Sequence, residues 1–336
     1  MDHQTPQPLR MLFWESTWKC NLACKHCRRL KAHENKTDEL TTAEMCNVLD
    51  SVAAIGKPII VFSGGEPLLR DDWEEISDYA KSLGLPTALA TNGTLITPEL
   101  ARRIAPKFRR VAVSLDGTDA ETHDTFRGVS GAFAAALGGI AALRAENVDV
   151  QINVTVTTHN VDQLDGMYAL AENAGAMAIH MFLLVPVGCG AEIPASQHLS
   201  AERYEQTLNW ICDRQESGPL EIRATCGPHY YRVAAQRGMP IGHSRGCLAG
   251  VAVAFVSHDG EVFPCGYLPV SCGSVKTQTF ADIWNSSEVF SNLRDYSKLT
   301  GKCGCCRFVQ ICGGCRARAY AATGDYLTEE PFCVWE

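Results

Sequence analysis

No stretch of this chain approaches the roughly 20 consecutive apolar residues of a membrane-spanning helix, and the opening Met1–Arg10 has no apolar signal core. Neither export nor membrane insertion is expected, and the chain reads as cytoplasmic. Positive charge is in short supply as well: 30 Lys and Arg face 38 Asp and Glu, a formal net charge of −8. That balance argues against a surface that coats nucleic acid, so an anionic substrate must meet a local group of basic residues. Internal repeats and low-complexity segments are also missing, which leaves an ordinary globular composition.

What the chain has in excess is cysteine, sixteen in 336 residues. A reducing cytosol keeps thiols free, so disulfides explain them poorly and thiolate-bound metal explains them better. They also cluster: three lie within Cys20–Cys27 and five between Cys303 and Cys315. The length suits one large α/β domain with a smaller appendage, and the clustering gives each a metal-bearing end.

From Leu9 to about Val187, short β-rich runs alternate with helical stretches, the pattern of parallel βα units. The strands are expected at Arg10–Thr17, Pro58–Ser63, Pro86–Thr91, Arg110–Leu115, Val150–Thr157 and Ile179–Val185. Between them Thr41–Ile55, Asp72–Leu83, Thr97–Ala105, Ala132–Ala145 and Asp162–Ala174 carry apolar residues at helical spacing, several opened by Thr or Asp caps. A further helix, Ser200–Gln215, completes a first domain over residues 1–217. Residues 218–246, rich in Gly, Pro and aromatics, read as a connection to a cysteine domain at 247–336.

The first cysteine group, Thr-Trp-Lys-Cys-Asn-Leu-Ala-Cys-Lys-His-Cys, follows the first strand. Its CxxxCxxC spacing lets Cys20, Cys24 and Cys27 converge on one iron-sulfur cube. A cube has four irons, so three thiolates leave one open to the amino and carboxylate groups of S-adenosylmethionine (SAM). A zinc site of Cys20, Cys24, Cys27 and His26 is the competing reading. Ser63-Gly64-Gly65-Glu66-Pro67, after the second strand, lets a ligand approach the backbone at its glycines, and Glu66 can accept hydrogen bonds from an ammonium group.

With the cysteine loop and the Gly-Gly-Glu-Pro motif in these positions, the chain resembles the radical SAM superfamily. The resemblance implies a partial (β/α)6 TIM-like barrel, with function in the loops at the C-terminal ends of the strands. It also assigns Asn92, in Thr91-Asn92-Gly93-Thr94, to the neighbourhood of SAM, Ser114 and Asp116 to its ribose, and Arg127 to its methionine carboxylate. Val154 and Leu184 are expected beside the adenine.

The second cysteine array runs Cys247, Cys265, Cys303, Cys306, Cys312, Cys315 and Cys333. It resembles the SPASM extension of radical SAM enzymes, which carries auxiliary [4Fe-4S] clusters. Carried over residue by residue, Cys303, Cys306, Cys312 and Cys333 complete one four-thiolate set, while Cys247, Cys265 and Cys315 make three ligands of another. The fourth cysteine that the family draws from just upstream of Cys247 is missing; Cys226 is the preferred substitute and Cys272 the other, and the alternatives are a site open to a ligand or left unoccupied, so that one or two auxiliary clusters are expected. Zinc is again the competing metal.

Several further stretches are similar to the heme synthases of the siroheme-dependent heme pathway, above all Gly-Gly-Cys-Arg-Ala-Arg-Ala-Tyr-Ala-Ala-Thr-Gly-Asp-Tyr at 313–326. That family implies oxidative decarboxylation of two propionates of an iron-porphyrin substrate, iron-coproporphyrin III, to the vinyl groups of heme b. A low-potential electron donor of the flavodoxin or ferredoxin class and an electron acceptor are then required. Arg28, Arg29, Lys31, Arg70, Arg223, Arg232 and Arg245 are the cations considered for the carboxylates. His180, His229, Tyr230 and Tyr231 are considered as ring or iron contacts. The rival readings are another tetrapyrrole, a peptide substrate or a plain electron-transfer protein. Barely ten residues precede the first strand, which speaks against a leader-binding domain there.

Overall fold

The computed structural model describes residues 8–29, 38–241 and 245–335; Lys31 lies outside them. Six strands form where the apolar runs stand: β1 (Met11–Glu15), β2 (Ile59–Ser63), β3 (Thr87–Thr91), β4 (Arg110–Ser114), β5 (Asp149–Val156) and β6 (Ala178–Leu183). Each pairs in parallel with the next in the chain. Parallel neighbours need crossover connections, and these are supplied by α1 (Thr42–Ile55), α2 (Trp73–Ser82), α3 (Pro98–Ile104), α4 (Ala120–Arg127), α5 (Ala132–Ala145) and α6 (Leu164–Asn173).

Thr41 and Thr97 cap their helices, each accepting from the backbone N–H three residues on. Asp72 does not cap α2, because Arg70 Nε holds its carboxylate at 2.6 Å and Thr42 donates to it as well. Asp162 falls in a short 3-10 turn, Val161–Gln163, just before α6.

One register of the strands, including Leu12, Trp14, Ile60, Phe62, Leu89, Val111, Val113, Ile152, Val154 and Met181, is buried against the helices as the main core. Each such side chain contributes about 1.5–3 kcal/mol through loss of apolar surface from water. The other register, with Phe13, Ala90, Ala112, Ser114, Asn153 and His180, is only half-buried and faces the opposite side of the sheet. Val154 therefore packs among core residues and does not face the side expected to meet an adenine, because strand alternation turns its neighbours Asn153 and Thr155 there instead.

The sheet continues past six strands in both directions. After α7 (Ala201–Ser217), β7 (Glu221–Thr225) pairs in parallel with β6, and α8 (His229–Gln236) follows, so the described part of the expected connection carries a strand and a helix. At the other edge β8 (Val253–Val256) pairs in parallel with β1, and β9 (Glu261–Phe263) and β10 (Gly273–Ser274) extend it antiparallel. The order is β10-β9-β8-β1-β2-β3-β4-β5-β6-β7, so the cysteine-rich end begins as a continuation of the barrel sheet. Helices α9 (Phe280–Ser286), α10 (Glu288–Arg294), α11 (Gly301–Cys305) and α12 (Arg316–Thr323) complete the described chain. Among the described residues no single helix is long and apolar enough to cross a membrane.

Candidate functional site

Cys20, Cys24 and Cys27 sit on the loop leaving β1, and three neighbouring segments brace it. Ala23 N and Lys25 N donate to the carbonyls of Arg127 and Phe126 at 3.2 and 3.0 Å, which lays the loop along the end of α4. Gly65 N and Glu66 N donate to the carbonyls of Thr17 and Lys19 at 2.8 and 2.7 Å. A Cβ at Gly65 would lie 2.1 Å from Lys19 O, so only glycine lets the two backbones meet. On the far side Cys189 N and Gly190 N donate to the carbonyls of Arg29 and Cys27 at 3.1 and 3.4 Å.

The thiols lie in one electrostatic neighbourhood. Burial raises the Cys24 thiol, Arg127 opposes the rise, and Cys27, Asp116 and Cys20 add to it. Burial likewise raises Cys20. Arg127 Nη1 donates to Cys24 Sγ at 3.7 Å, Arg29 Nε to Cys27 Sγ at 3.4 Å, and Leu22 N to Cys20 Sγ at 3.4 Å. Such donors stabilise thiolate charge, which is what a metal centre held by sulfur requires.

Glu66 is fully buried at the edge of this loop. Its Oε1 accepts from Thr91 Oγ1 at 2.7 Å and Leu68 N at 3.3 Å, and its Oε2 from Asn92 N at 2.8 Å. Burial outweighs those bonds and raises its pKa to about 7. Asn92 is itself fixed, donating to Asn21 Oδ1 at 2.8 Å, which ties the end of β3 back to the cysteine loop.

Asp116 and Arg127, expected at two different ends of a SAM molecule, are paired with each other: Arg127 Nη2 lies 2.6 Å from Asp116 Oδ2. Asp116 Oδ1 also accepts from Thr155 N at 2.7 Å. His26 Nε2 stands 3.6 Å from the same carboxylate, and its ring stacks on Phe126 with centroids 4.1 Å apart. Burial lowers the pKa of His26 to about 3, so it stays neutral. Ser114 is half-buried at the end of β4, beside Asn153 in the ladder.

The C-terminal cysteines separate into two places. Cys303, Cys306, Cys312 and Cys333 line one small pocket together with His229, Arg232 and Lys302. Their sulfurs accept from backbone N–H groups: Glu330 to Cys303 at 3.4 Å, Phe308 to Cys306 at 3.4 Å and Gly314 to Cys312 at 3.5 Å. Cys226, Cys265 and Cys315 interact with one another and with Cys247 elsewhere. Burial and then Cys247 push Cys265 up to about 12, and burial followed by Cys315, Cys265 and Cys247 raises Cys226. Cys226 is thus brought to the incomplete set. Cys272 is not, since its thiol donates to Val270 O at 3.8 Å and Arg294 is its charged neighbour.

A zinc ion held about 2.3 Å from each sulfur brings its ligands within about 4 Å of one another. Among the described residues no three Cys, His, Asp or Glu side chains gather to hold a single metal ion.

The expected cations are mostly committed inside the protein. Arg28 pairs with Glu15 at 2.9 Å and lies over the Phe255 ring, Arg70 pairs with Asp72, and Arg232 meets Glu205 at 2.5 Å. Arg223 pairs with Glu221 at 2.6 Å but stays exposed, and Arg245 lies over Tyr296. His180 is half-buried on β6, its pKa lowered to about 4 by burial and then by Arg223. Tyr230 and Tyr231 pack against each other with ring centroids 5.4 Å apart. Two charged residues that sequence reading missed are Arg318 and Glu330, both fully buried between the C-terminal cysteine sets. Arg318 falls in the distinctive Gly-Gly-Cys-Arg-Ala-Arg stretch, whereas nothing local marks Glu330.

The family model of the radical SAM superfamily matches residues 14–171, and that of the SPASM iron-sulfur cluster-binding domain matches residues 247–307. The chain is 46% identical to the AdoMet-dependent heme synthase of Methanosarcina barkeri over 97% of this chain and 96% of that one. It is 44% identical to the same-named protein of Nitratidesulfovibrio vulgaris, over 97% and 92%. To the pre-heme d1 synthase of Dinoroseobacter shibae it is 33% identical, over 98% and 86%. Among solved structures it is similar to SuiB of Streptococcus suis bound to precursor peptide SuiA, with a TM-score of 0.81 at 15% identity, covering 99% of this chain and 77% of that one. It is also similar to anSMEcpe with bound AdoMet, with a TM-score of 0.74 at 19% identity, covering 97% and 94%.

Proposed function

This chain belongs to the radical SAM superfamily and carries its SPASM extension, and from that premise we propose that it converts two propionates of iron-coproporphyrin III to vinyl groups, giving heme b. It is a radical SAM enzyme of the heme-synthase type; the particular porphyrin is the proposed part. The observation that carries this choice is the gradient of identity, higher to heme synthases than to the pre-heme d1 synthase over comparable lengths.

In this reading Cys20, Cys24 and Cys27 hold the SAM-binding [4Fe-4S] cluster. With SAM bound there, such a cluster would supply one electron to break the 5′-carbon–sulfur bond, releasing methionine and a 5′-deoxyadenosyl radical able to take hydrogen from the propionate carbon next to the pyrrole, so that CO₂ and one electron leave and the vinyl forms. Gly64 and Gly65 keep backbone close to the cysteine loop, and Glu66 receives the methionine ammonium, whose positive charge draws that carboxyl toward its ionised form. Asn92 and Ser114 face the nucleoside. Asp116 and Arg127 act as a pair that fixes the Cys24 end of the loop, since each already holds the other.

Cys303, Cys306, Cys312 and Cys333 hold one auxiliary cluster, and Cys226, Cys247, Cys265 and Cys315 a second, either of which can accept the electron released with each CO₂. Reduction from a donor of the flavodoxin or ferredoxin class, an electron acceptor and a cytoplasmic setting complete the proposal. The test is anaerobic reconstitution with SAM, a reductant and iron-coproporphyrin III, followed by mass spectrometry. Two successive losses of CO₂ and two hydrogens are expected. Unchanged porphyrin alongside SAM cleavage would refute this substrate and turn attention to the related tetrapyrroles.

A further inference from the structure

Between the two C-terminal cysteine sets lies an ion pair sealed from solvent. Arg318 Nε donates to Glu330 Oε1 at 2.9 Å, and both side chains are 0% exposed. Five separate parts of the chain meet on this pair. Glu330 Oε2 accepts from Cys315 N at 2.8 Å, while the backbone N–H of Glu330 donates to Cys303 Sγ at 3.4 Å. Arg318 Nη1 donates to the carbonyls of Leu183 and Leu184 at 3.2 and 2.9 Å, at the end of β6. Its Nη2 donates to Tyr204 Oη at 2.8 Å and to the carbonyl of Cys226.

The same carboxylate faces His229, whose Nε2 stands 4.0 Å from Glu330 Oε2 and whose Nδ1 lies 3.3 Å from Tyr204 Oη. One residue thus touches a member of each cysteine set, and its partner ties the second set to the barrel. Cys226 adopts φ +56, a left-handed conformation rare outside glycine, at the point where Arg318 grips its carbonyl. That strain persists only where surrounding contacts determine it.

A buried ion pair is weak evidence for stability, because desolvation offsets much of its attraction. Two charges retained between two redox sites call for a different account. Away from solvent a unit charge acts over several ångströms with little screening, and the potential of an iron-sulfur cluster follows the charge and hydrogen bonds around it. The negative charge of Glu330 bears on Cys312 in one set and Cys315 in the other, and the positive charge of Arg318 on Cys226 and Cys315.

We propose that Glu330 and Arg318 are positioning residues that set the reduction potentials of the two C-terminal clusters with opposite sign while locking both cysteine sets to the end of β6. The inference rests on the reading of those cysteines as cluster ligands. Glu330 makes an added electron harder to accept at both clusters, and Arg318 makes it easier at the second.

The test is a redox titration followed by electron paramagnetic resonance on the anaerobically reconstituted full chain, with iron content measured alongside. E330Q keeps the shape and an acceptor for Cys315 N–H but removes the charge, so an upward shift at unchanged iron content is expected. R318Q should shift the second cluster downward. Unmoved potentials in both fully loaded variants, or shifts of the same sign, overturn the proposal. If E330Q does not retain its iron, the sign found for R318Q decides alone. If neither variant retains iron, the charge-keeping E330D and R318K are expected to restore it, and failure to do so also overturns the proposal. A wild-type chain that binds only four irons would sink the ligand reading and this inference together, whereas normal loading with unmoved potentials sinks the inference alone.

Discussion

Glu66 shows how a single buried group links ligand binding to pH. Its pKa stands near 7 rather than its ordinary 4.5 because burial penalises the charged form. That difference corresponds to about 3 kcal/mol between the two protonation states. Below pH 4.5 the residue is protonated whether the chain is folded or not. Between about 4.5 and 7 the unfolded chain ionises while the fold keeps its proton, so this contribution to stability falls as pH rises and levels off above 7. Thermal midpoints of SAM-free protein across that window should decline more steeply in wild type than in E66Q; parallel profiles would contradict the assignment. Arg127 offers a second test, since removing it strands Asp116 without its strongest partner. R127M should cost about 3–5 kcal/mol, read as a lower midpoint in anaerobic denaturant unfolding, and an unchanged midpoint would show the pair to be dispensable.

Elements differ in how clearly the sequence announces them. The first six strands and most of their helices were legible because Ile59–Ser63, Thr87–Thr91 and their like are short apolar runs separated by helical periodicity. β7 was not, because Glu-Ile-Arg-Ala-Thr alternates polar with apolar residues over only five positions and its partner β6 lies beyond the whole of α7. The junction of β8 with β1 joins residues more than 240 positions apart, a pairing that no local pattern encodes. α4, eight residues of mostly polar sequence, is marked in the sequence only by Arg127 at its end. The loop after β6 matters more than its sequence suggests: Gly188 has φ +58, and a Cβ there would lie 2.2 Å from Arg28 O. G188A should therefore push the first cysteine loop out of place and lower the iron bound, by about a third with the three proposed clusters; full iron content in that variant would count against the bracing role.

At the scale of the whole molecule, one ten-stranded sheet runs from the barrel into the cysteine-rich end, so the three sulfur groups share a single framework. The cysteine groupings are legible from spacing and resemblance, and in the fold Cys226 lies close enough to Cys315 and Cys265 for their charges to raise its thiol. What spacing could not show is that most of the cations weighed for the porphyrin carboxylates are held by the chain's own acids, as in Arg28 with Glu15 and Arg232 with Glu205. Nor could it show the sealed Arg318–Glu330 pair, whose members come together only when α12 folds against the last residues of the chain. The proposed chemistry requires an iron left without a protein ligand in the loop after β1. The most direct measurement compares the electron paramagnetic resonance spectrum of the reduced protein before and after SAM, with the C24A variant as reference. A SAM-dependent change in the spectrum, absent from the variant and accompanied by release of 5′-deoxyadenosine, is the predicted result; a wild-type spectrum indifferent to SAM, with no 5′-deoxyadenosine formed, would contradict it.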